Sequence, residues 1–544
     1  MPPRITLPPP NAALVALVAV FILPGLAGHD LWKSQDAIAL GVVHSMAQEG
    51  DLVVPRIAGM PWLYDQPLYH WVAFFCGKLF GAFLPFHAAA RLASGLFVAA
   101  AFALIYRAGR DWSDAGLDRT TGCAALLLLL GSVGLLVHAH EALPELASLA
   151  AMCGALAALP YAARRPIAAG IAFGAALGLA FLSGTWVAPA ALGVAVLIGH
   201  VACPEWRAPR GVVFLFIALI VGAAVAASWP LVLAARAPDA YHEWRIILAE
   251  REGTVGENFR HFFGTASWFT WPAWPLAIWS AWSLRWRWRE ARLLVPALAI
   301  ILMIVGSIGW GPPADENLVP LLAPLAFFAV QGIFTLRRGA AAALDWFGAL
   351  TFAIFAALVW LAYIAMLTGV PAPIARNFAR IAPGFVMPLR PLELAFALVL
   401  AAGWVYLVFY TAASPLRSLA RWAAGIVLLW GTFAALWMPW VDYQKSYRGV
   451  ALQLKNRIPA RVSCVAERNL GVSQAAALDY DGGIRTQGYD PLKPAACPLV
   501  LVQGSPQHEL DAPSASGGLR WRKVADVGRP GDRSERYRLY RLEK

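Results

Sequence analysis

Between Leu31 and Trp71 the chain reads "LWKSQDAIALGVVHSMAQEGDLVVPRIAGMPWLYDQPLYHW". Asp36, Glu49, Asp51, Arg56 and Asp65 fall within this one stretch, directly after an apolar segment. Carboxylates of this kind can accept or hold a proton, and cations beside them can hold an anion. Three other stretches carry the same mixture. "HAHEALPE" (138–145) supplies Glu141 and Glu145, and the segment 234–267 supplies Glu250, Arg251, Arg260 and His261. The turn "GPPADEN" (311–317) adds two more acids.

The elements that must position these groups are apolar. Of 544 residues, 59% are hydrophobic and 14% charged, too little polar surface for a soluble chain of this length. The apolar residues come in blocks of roughly 17 to 25, enough to cross about 30 Å of hydrocarbon. A polytopic helical membrane protein follows. Spans are expected near 11–28, 88–107, 119–138, 143–161, 167–182, 186–202, 211–233, 268–283, 293–310, 318–335, 343–367, 391–411 and 422–440. Residues 1–28 read as a retained first helix rather than a cleaved leader, because no convincing small-x-small site follows.

Alternate connections are short and rich in arginine: 107–119, 162–166, 203–210, 285–292, 337–338 and 415–421. The positive-inside rule puts these in the cytoplasm, with the N-terminus, and puts everything after Trp440 outside. The formal charge of +12 then reflects topology, and no nucleic-acid partner is implied. Keeping this parity requires 67–83, like 36–48, to lie at the outer interface as helices. The domains expected are a membrane domain over 1–440 and a small outer α/β domain over 441–544, with a helix near 472–480. Cys464 and Cys497 lie in that outer domain. An oxidising compartment favours a disulfide between them, and two buried thiols are the alternative. All four ionisable stretches fall on the outer face, where such groups at membrane depth usually mark function. No Walker motif, GxGxxG turn or Cys/His cluster appears on the other face.

The stretches "LWKSQDAIALGVVHSMAQEGDLVVPRIAG", "YDQPLYHW", "HAHEALPELASLAA" and "LVPLLAPLAFFA" resemble, in order and spacing, the lipid-linked-sugar glycosyltransferases of the GT-C fold. The closest group is the aminoarabinose lipid A transferases, related to the protein O-mannosyltransferases. The resemblance implies an inner-membrane transferase. It would take a sugar from a polyprenyl phosphate and pass it to a cell-envelope acceptor, a lipid A-type glycolipid first. It implies a catalytic carboxylate after "LW", which is Gln35-Asp36 here where relatives have Asp-Glu. Asp36 is then the expected base, with Asp65, Glu141 and Glu145 as further acids. It implies a donor-phosphate lysine where this chain has Gln66, beside Tyr64. Arg56, Arg251, Arg260 or His261 would have to replace that charge. Relatives sometimes hold a metal near the places of Asp65 and His261, but these two make a weak ligand set and no required cofactor is expected. A phosphate acceptor would be anionic already and need no base, whereas a hydroxyl would need one. Transfer to a protein hydroxyl, a lipid-sugar transporter and an inactive paralogue are the other readings. Polar groups gathered at outer ends rather than the midplane favour an enzyme over a transporter.

Overall fold

The computed structural model describes residues 10–114, 116–250, 253–310, 314–411, 414, 416–459, 462, 464–489, 497–505 and 520–543. The first part of the chain is helical. Helix α1 (Pro10–Ile22) leads to α2 (Gln35–Glu49), the short hairpin of β1 (Arg56–Ile57) and β2 (Met60–Pro61), and α3 (Leu68–Phe80). Next come α4 (Phe86–Asp111), α5 (Asp118–Leu130), α6 (Leu135–His138), α7 (Glu145–Ala158), α8 (Pro166–Phe181), α9 (Val187–Ala202) and α10 (Pro209–Arg236). The chain continues through α11 (Pro238–Ala249), α12 (Val255–Phe269), α13 (Ala273–Ser283), α14 (Ala291–Trp310), α15 (Leu322–Gln331), α16 (Arg338–Thr368), α17 (Ala372–Ile381), α18 (Pro391–Tyr410) and α19 (Arg417–Lys445). Each of the thirteen expected spans contains a helix. Among the described residues, seven helical segments are long and apolar enough to cross a membrane, and α1, α7, α8 and α9 are shorter apolar helices.

Helices α8, α10 and α18 begin on proline, whose fixed φ and missing N–H cost nothing in a first turn. With lipid on one side, helices associate through close contact rather than through exclusion of water. Helices α8 and α10 illustrate this. A Cβ at Gly174 would stand 2.3 Å from the Ala218 carbonyl oxygen, and one at Gly178 would stand 2.6 Å from Val225. Small residues four apart therefore set the helix spacing.

The remainder of the chain forms the small α/β domain. It holds α20 (Arg448–Lys455), β3 (Val465–Arg468), α21 (Val472–Gly482), β4 (Thr486–Gly488), β5 (Leu499–Gly504), β6 (Arg520–Val527) and β7 (Arg536–Glu543). Among the described residues these strands make one sheet in the order β4-β3-β5-β7-β6. The β3–β4 and β3–β5 pairs are parallel and the others antiparallel. Parallel neighbours need a crossover, and α21 supplies the one between β3 and β4. A disulfide joins Cys464, at the start of β3, to Cys497, just before β5, with 5.4 Å between the Cα atoms.

Helix α3 leaves Phe75 and Leu79 more than half exposed, as a lipid-facing helix does. Helix α2 differs from expectation. Ten of its fifteen residues are buried, because α21 covers the face that α3 and α4 leave open. Gly41 makes this possible, since a Cβ there would meet the Ala476 Cβ at 2.6 Å. The α/β domain is thus seated on the segment 29–87. Lys33–Glu535 (2.5 Å) and Arg485–Glu49 (3.0 Å) add ion pairs across that contact.

Candidate active site

Helix ends and the segments that join them enclose a cavity of about 480 Å³. Its wall takes Gln35 from the first residue of α2, residues 62–66 from the segment after β2, and Glu145 from the first residue of α7. Thr185 and Trp186 come from the α8–α9 turn, Trp244 and Glu250 from the end of α11, Trp310 from the end of α14, and Glu316 from the "GPPADEN" turn. Chain segments far apart in sequence therefore converge on one space. Its chemistry is carboxylate and aromatic: Asp65, Glu145, Glu250 and Glu316 beside Trp62, Tyr64, Trp186, Trp244 and Trp310. Among the described lining residues there is no lysine, arginine or histidine.

Asp65 accepts from the Trp62 indole N–H at 2.7 Å, and burial pushes its carboxyl above the usual range despite that bond. Tyr64 packs on Trp62 with 4.8 Å between ring centroids and is half exposed at the mouth. Glu145 and Gln66 are only 8% and 4% exposed. Glu145 Oε2 and Gln66 Oε1 have no hydrogen-bond partner, so two buried acceptors face this space unsatisfied. Across the cavity the Gln35 carboxamide donates from Nε2 to Glu316 Oε1.

Asp36 is elsewhere. It is 1% exposed and paired with Arg91, which is fully buried. Its Oδ1 accepts from Arg91 Nε (2.9 Å) and Ala142 N (2.8 Å), and its Oδ2 from Arg91 Nη2 (2.8 Å) and Trp32 N (3.1 Å). Arg91 also reaches the carbonyls of Leu26, His29 and Asp30. Burial alone would raise the Asp36 pKa, but the Arg91 guanidinium outweighs it and holds the carboxyl below the ordinary range. With all its lone pairs engaged, this side chain fixes the starts of α2 and the 138–145 turn, and through them Gln35 and Glu145.

The other expected residues divide. Glu141 lies outside the cavity, against His138 Nδ1 at 3.2 Å. Glu141 and Glu145 do not share a helix face, because α6 stops at His138 and α7 restarts after Pro144. Arg56 sits between Glu49 (3.6 Å) and Asp51 (3.7 Å), its charge already matched and away from the cavity wall. Arg260 is exposed on α12, and His261 Nε2 lies 3.1 Å from Asp315 Oδ1. Arg251 lies outside the described residues. No three His, Cys, Asp or Glu side chains among the described residues gather as metal ligands. The sequence marks the turn that holds Glu316 without giving that residue a role, and Arg91 was not singled out. Glu316 opens an apolar segment as Glu145 does, and Arg91 is an arginine inside an expected span, which is itself a signal.

No protein-family model matches the chain, and no curated protein matches it. Solved structures do. ArnT from Cupriavidus metallidurans, crystallised bound to undecaprenyl phosphate, superposes with a TM-score of 0.67 at 19% identity, over 97% of this chain and 96% of that one. Its apo form gives the same TM-score at 20% identity. The oligosaccharyltransferase AglB from Archaeoglobus fulgidus is more distant, at a TM-score of 0.45 and 10% identity, over 91% of this chain and 69% of that one. The chain shares the fold of ArnT from end to end, which is the GT-C fold that the outer-loop motifs lead one to expect.

Proposed function

We propose that this protein is a glycosyltransferase that moves a sugar, a pentose or hexose, from a polyprenyl-phosphate donor to a cell-envelope acceptor. The favoured acceptor is a glycolipid of the lipid A or lipopolysaccharide type. The reading places the protein in the bacterial inner membrane with the cavity and the α/β domain on the periplasmic side. One observation carries it: a carboxylate-lined, aromatic-walled cavity at the helix ends of a fold whose ArnT representative binds undecaprenyl phosphate. A second supports it. A groove of about 420 Å³ runs between α8, α9 and α10, lined by Phe173, Leu177, Phe181 and Leu219, and shares Trp186 with the cavity. An apolar slot that opens from membrane lipid beside a polar cavity suits a prenyl chain with a phosphate head.

In the reaction, an acceptor oxygen attacks the anomeric carbon and the C–O bond to phosphate breaks. The donor carries its own leaving group, so no nucleotide, metal or other cofactor is assigned. Stacking on Trp and Tyr faces positions sugar rings, and carboxylates accept their hydroxyl protons. Asp65 and Glu145 line the wall where such hydrogen bonds from sugar hydroxyls can form, and Asp36 acts by holding the loop. Lipid mass spectrometry of a deletion strain tests the reading. A sugar-modified envelope lipid should disappear while its polyprenyl-phosphate-linked sugar accumulates. An unchanged profile of both would refute it.

A further inference from the structure

Resting on the transferase reading, we propose that Glu316 is the general base, that Gln35 orients it, and that the acceptor group is therefore a hydroxyl rather than a phosphate. The carboxylate that relatives carry after "LW" is an amide in this chain. The structure places a carboxylate directly opposite, on the turn that begins the 315–335 segment, in contact with that amide. An amide N–H can donate to a carboxylate oxygen but cannot take a proton at neutral pH. The pair is thus polarised in one direction. Gln35 occupies one lone pair of Glu316 Oε1 and fixes the carboxylate plane, leaving the remaining lone pairs to a ligand in the cavity.

Two further observations bear on the ligand. Glu145 Oε2 and Gln66 Oε1 are buried in the same wall without a partner. The Gln66 carbonyl oxygen is an acceptor, so the group that satisfies it is a donor of O–H or N–H bonds. A phosphate nucleophile at neutral pH offers acceptors almost alone. A hydroxyl satisfies one acceptor and needs the base that Glu316 supplies.

The step balances. The acceptor O–H proton passes to a Glu316 carboxylate oxygen as the acceptor oxygen forms its bond to the anomeric carbon. The anomeric C–O bond to phosphate breaks, and its electron pair leaves with the polyprenyl phosphate. Glu316 then returns the proton to solvent.

The experiment uses the full-length protein and its variants in membranes from the deletion strain, which hold the native donor and acceptor pools. Glu316→Gln should lower turnover by roughly 10²- to 10⁴-fold, the usual weight of a positioned base. Binding of undecaprenyl phosphate, followed by tryptophan fluorescence of purified protein, should change less than about twofold, which also reports that the variant is folded. The transposed variant Gln35→Glu, Glu316→Gln puts the carboxylate on the other side of the pair. It should recover at least about tenfold of the lost turnover, which a merely structural role for Gln35 would not do. The product should carry a glycoside to oxygen on carbon, stable to mild acid that cleaves glycosyl phosphates. Turnover within about threefold of wild type in Glu316→Gln, or a glycosyl-phosphate product, overturns the inference while leaving the transferase reading intact. No transfer by the wild-type protein overturns both.

Discussion

Replacing Asp36 by asparagine separates a structural carboxylate from a catalytic one. The Asp36 side chain accepts four hydrogen bonds of 2.8 to 3.1 Å, two from Arg91, and neither partner meets solvent. Asparagine offers one acceptor oxygen in place of two and leaves the Arg91 charge buried without a counter-charge. Breaking a buried pair by removing one partner costs about 3–5 kcal/mol. Arg91→Gln strands the opposite charge and should cost a similar amount. The double variant Asp36→Leu, Arg91→Met removes both charges, so its cost should fall short of the sum by about 2 kcal/mol or more. Melting of the purified protein in detergent, followed by its tryptophans, is the assay. The sign with pH is also fixed. A carboxyl held below its unfolded pKa stabilises the fold above about pH 4 and loses that contribution as pH falls through its folded value. Acid should therefore unfold the wild type over a steeper range than Asp36→Asn. Turnover of the single variants, measured well below their melting points, should follow the folded fraction. An Asp36→Asn protein that melts like wild type but turns over 100-fold more slowly would refute this reasoning and return Asp36 to the role of base.

Three further outcomes follow from other parts of the molecule. Burial, and after it Asp30, push Asp481 up to about 7, and Asp442 adds to this while Arg448 opposes it. A folded pKa above the unfolded one means that stability falls as pH rises from about 4 to about 7. Asp481→Asn should therefore raise the melting point at pH 8, by on the order of 2 kcal/mol after solvent screening, and leave it unchanged near pH 4. Equal gains at both pH values would discard the explanation. Gly174→Leu should cost about 1–3 kcal/mol or prevent assembly, because its side chain would meet the α10 backbone; normal yield and melting would show that α8 and α10 can part. Reporter fusions after Arg164, Arg207, Arg289 and Arg338 should read cytoplasmic and a fusion after Gly449 periplasmic, the reverse at Gly449 breaking the arginine alternation.

The helical framework was legible because hydropathy and arginine placement are local properties of the chain. So was α21, expected near 472–480 and seen at Val472–Gly482, since its apolar spacing and flanking glycines are local too. The strand order was not, because β5 pairs with β7 and β3 across intervening chain and no short-range signal encodes that choice. All four ionisable stretches contribute residues to the one cavity wall. Their division into cavity wall and internal brace was hidden. Gln35 and Asp36 are adjacent, yet one helix start sends the first into the cavity and the second onto Arg91. Helix geometry separates neighbours by about 100°, so one residue of offset exchanges those roles. Pro144 had a similar effect on Glu141 and Glu145, by restarting the helix between them.

The central claim is transfer from a polyprenyl phosphate. Its most direct measurement is release of that phosphate on adding the purified protein, reconstituted in liposomes, to the lipid extract of its own deletion strain. Free polyprenyl phosphate should appear in step with loss of the linked sugar and gain of a glycosylated lipid. Transport of the intact linked sugar across the bilayer, with no release of polyprenyl phosphate, would contradict it.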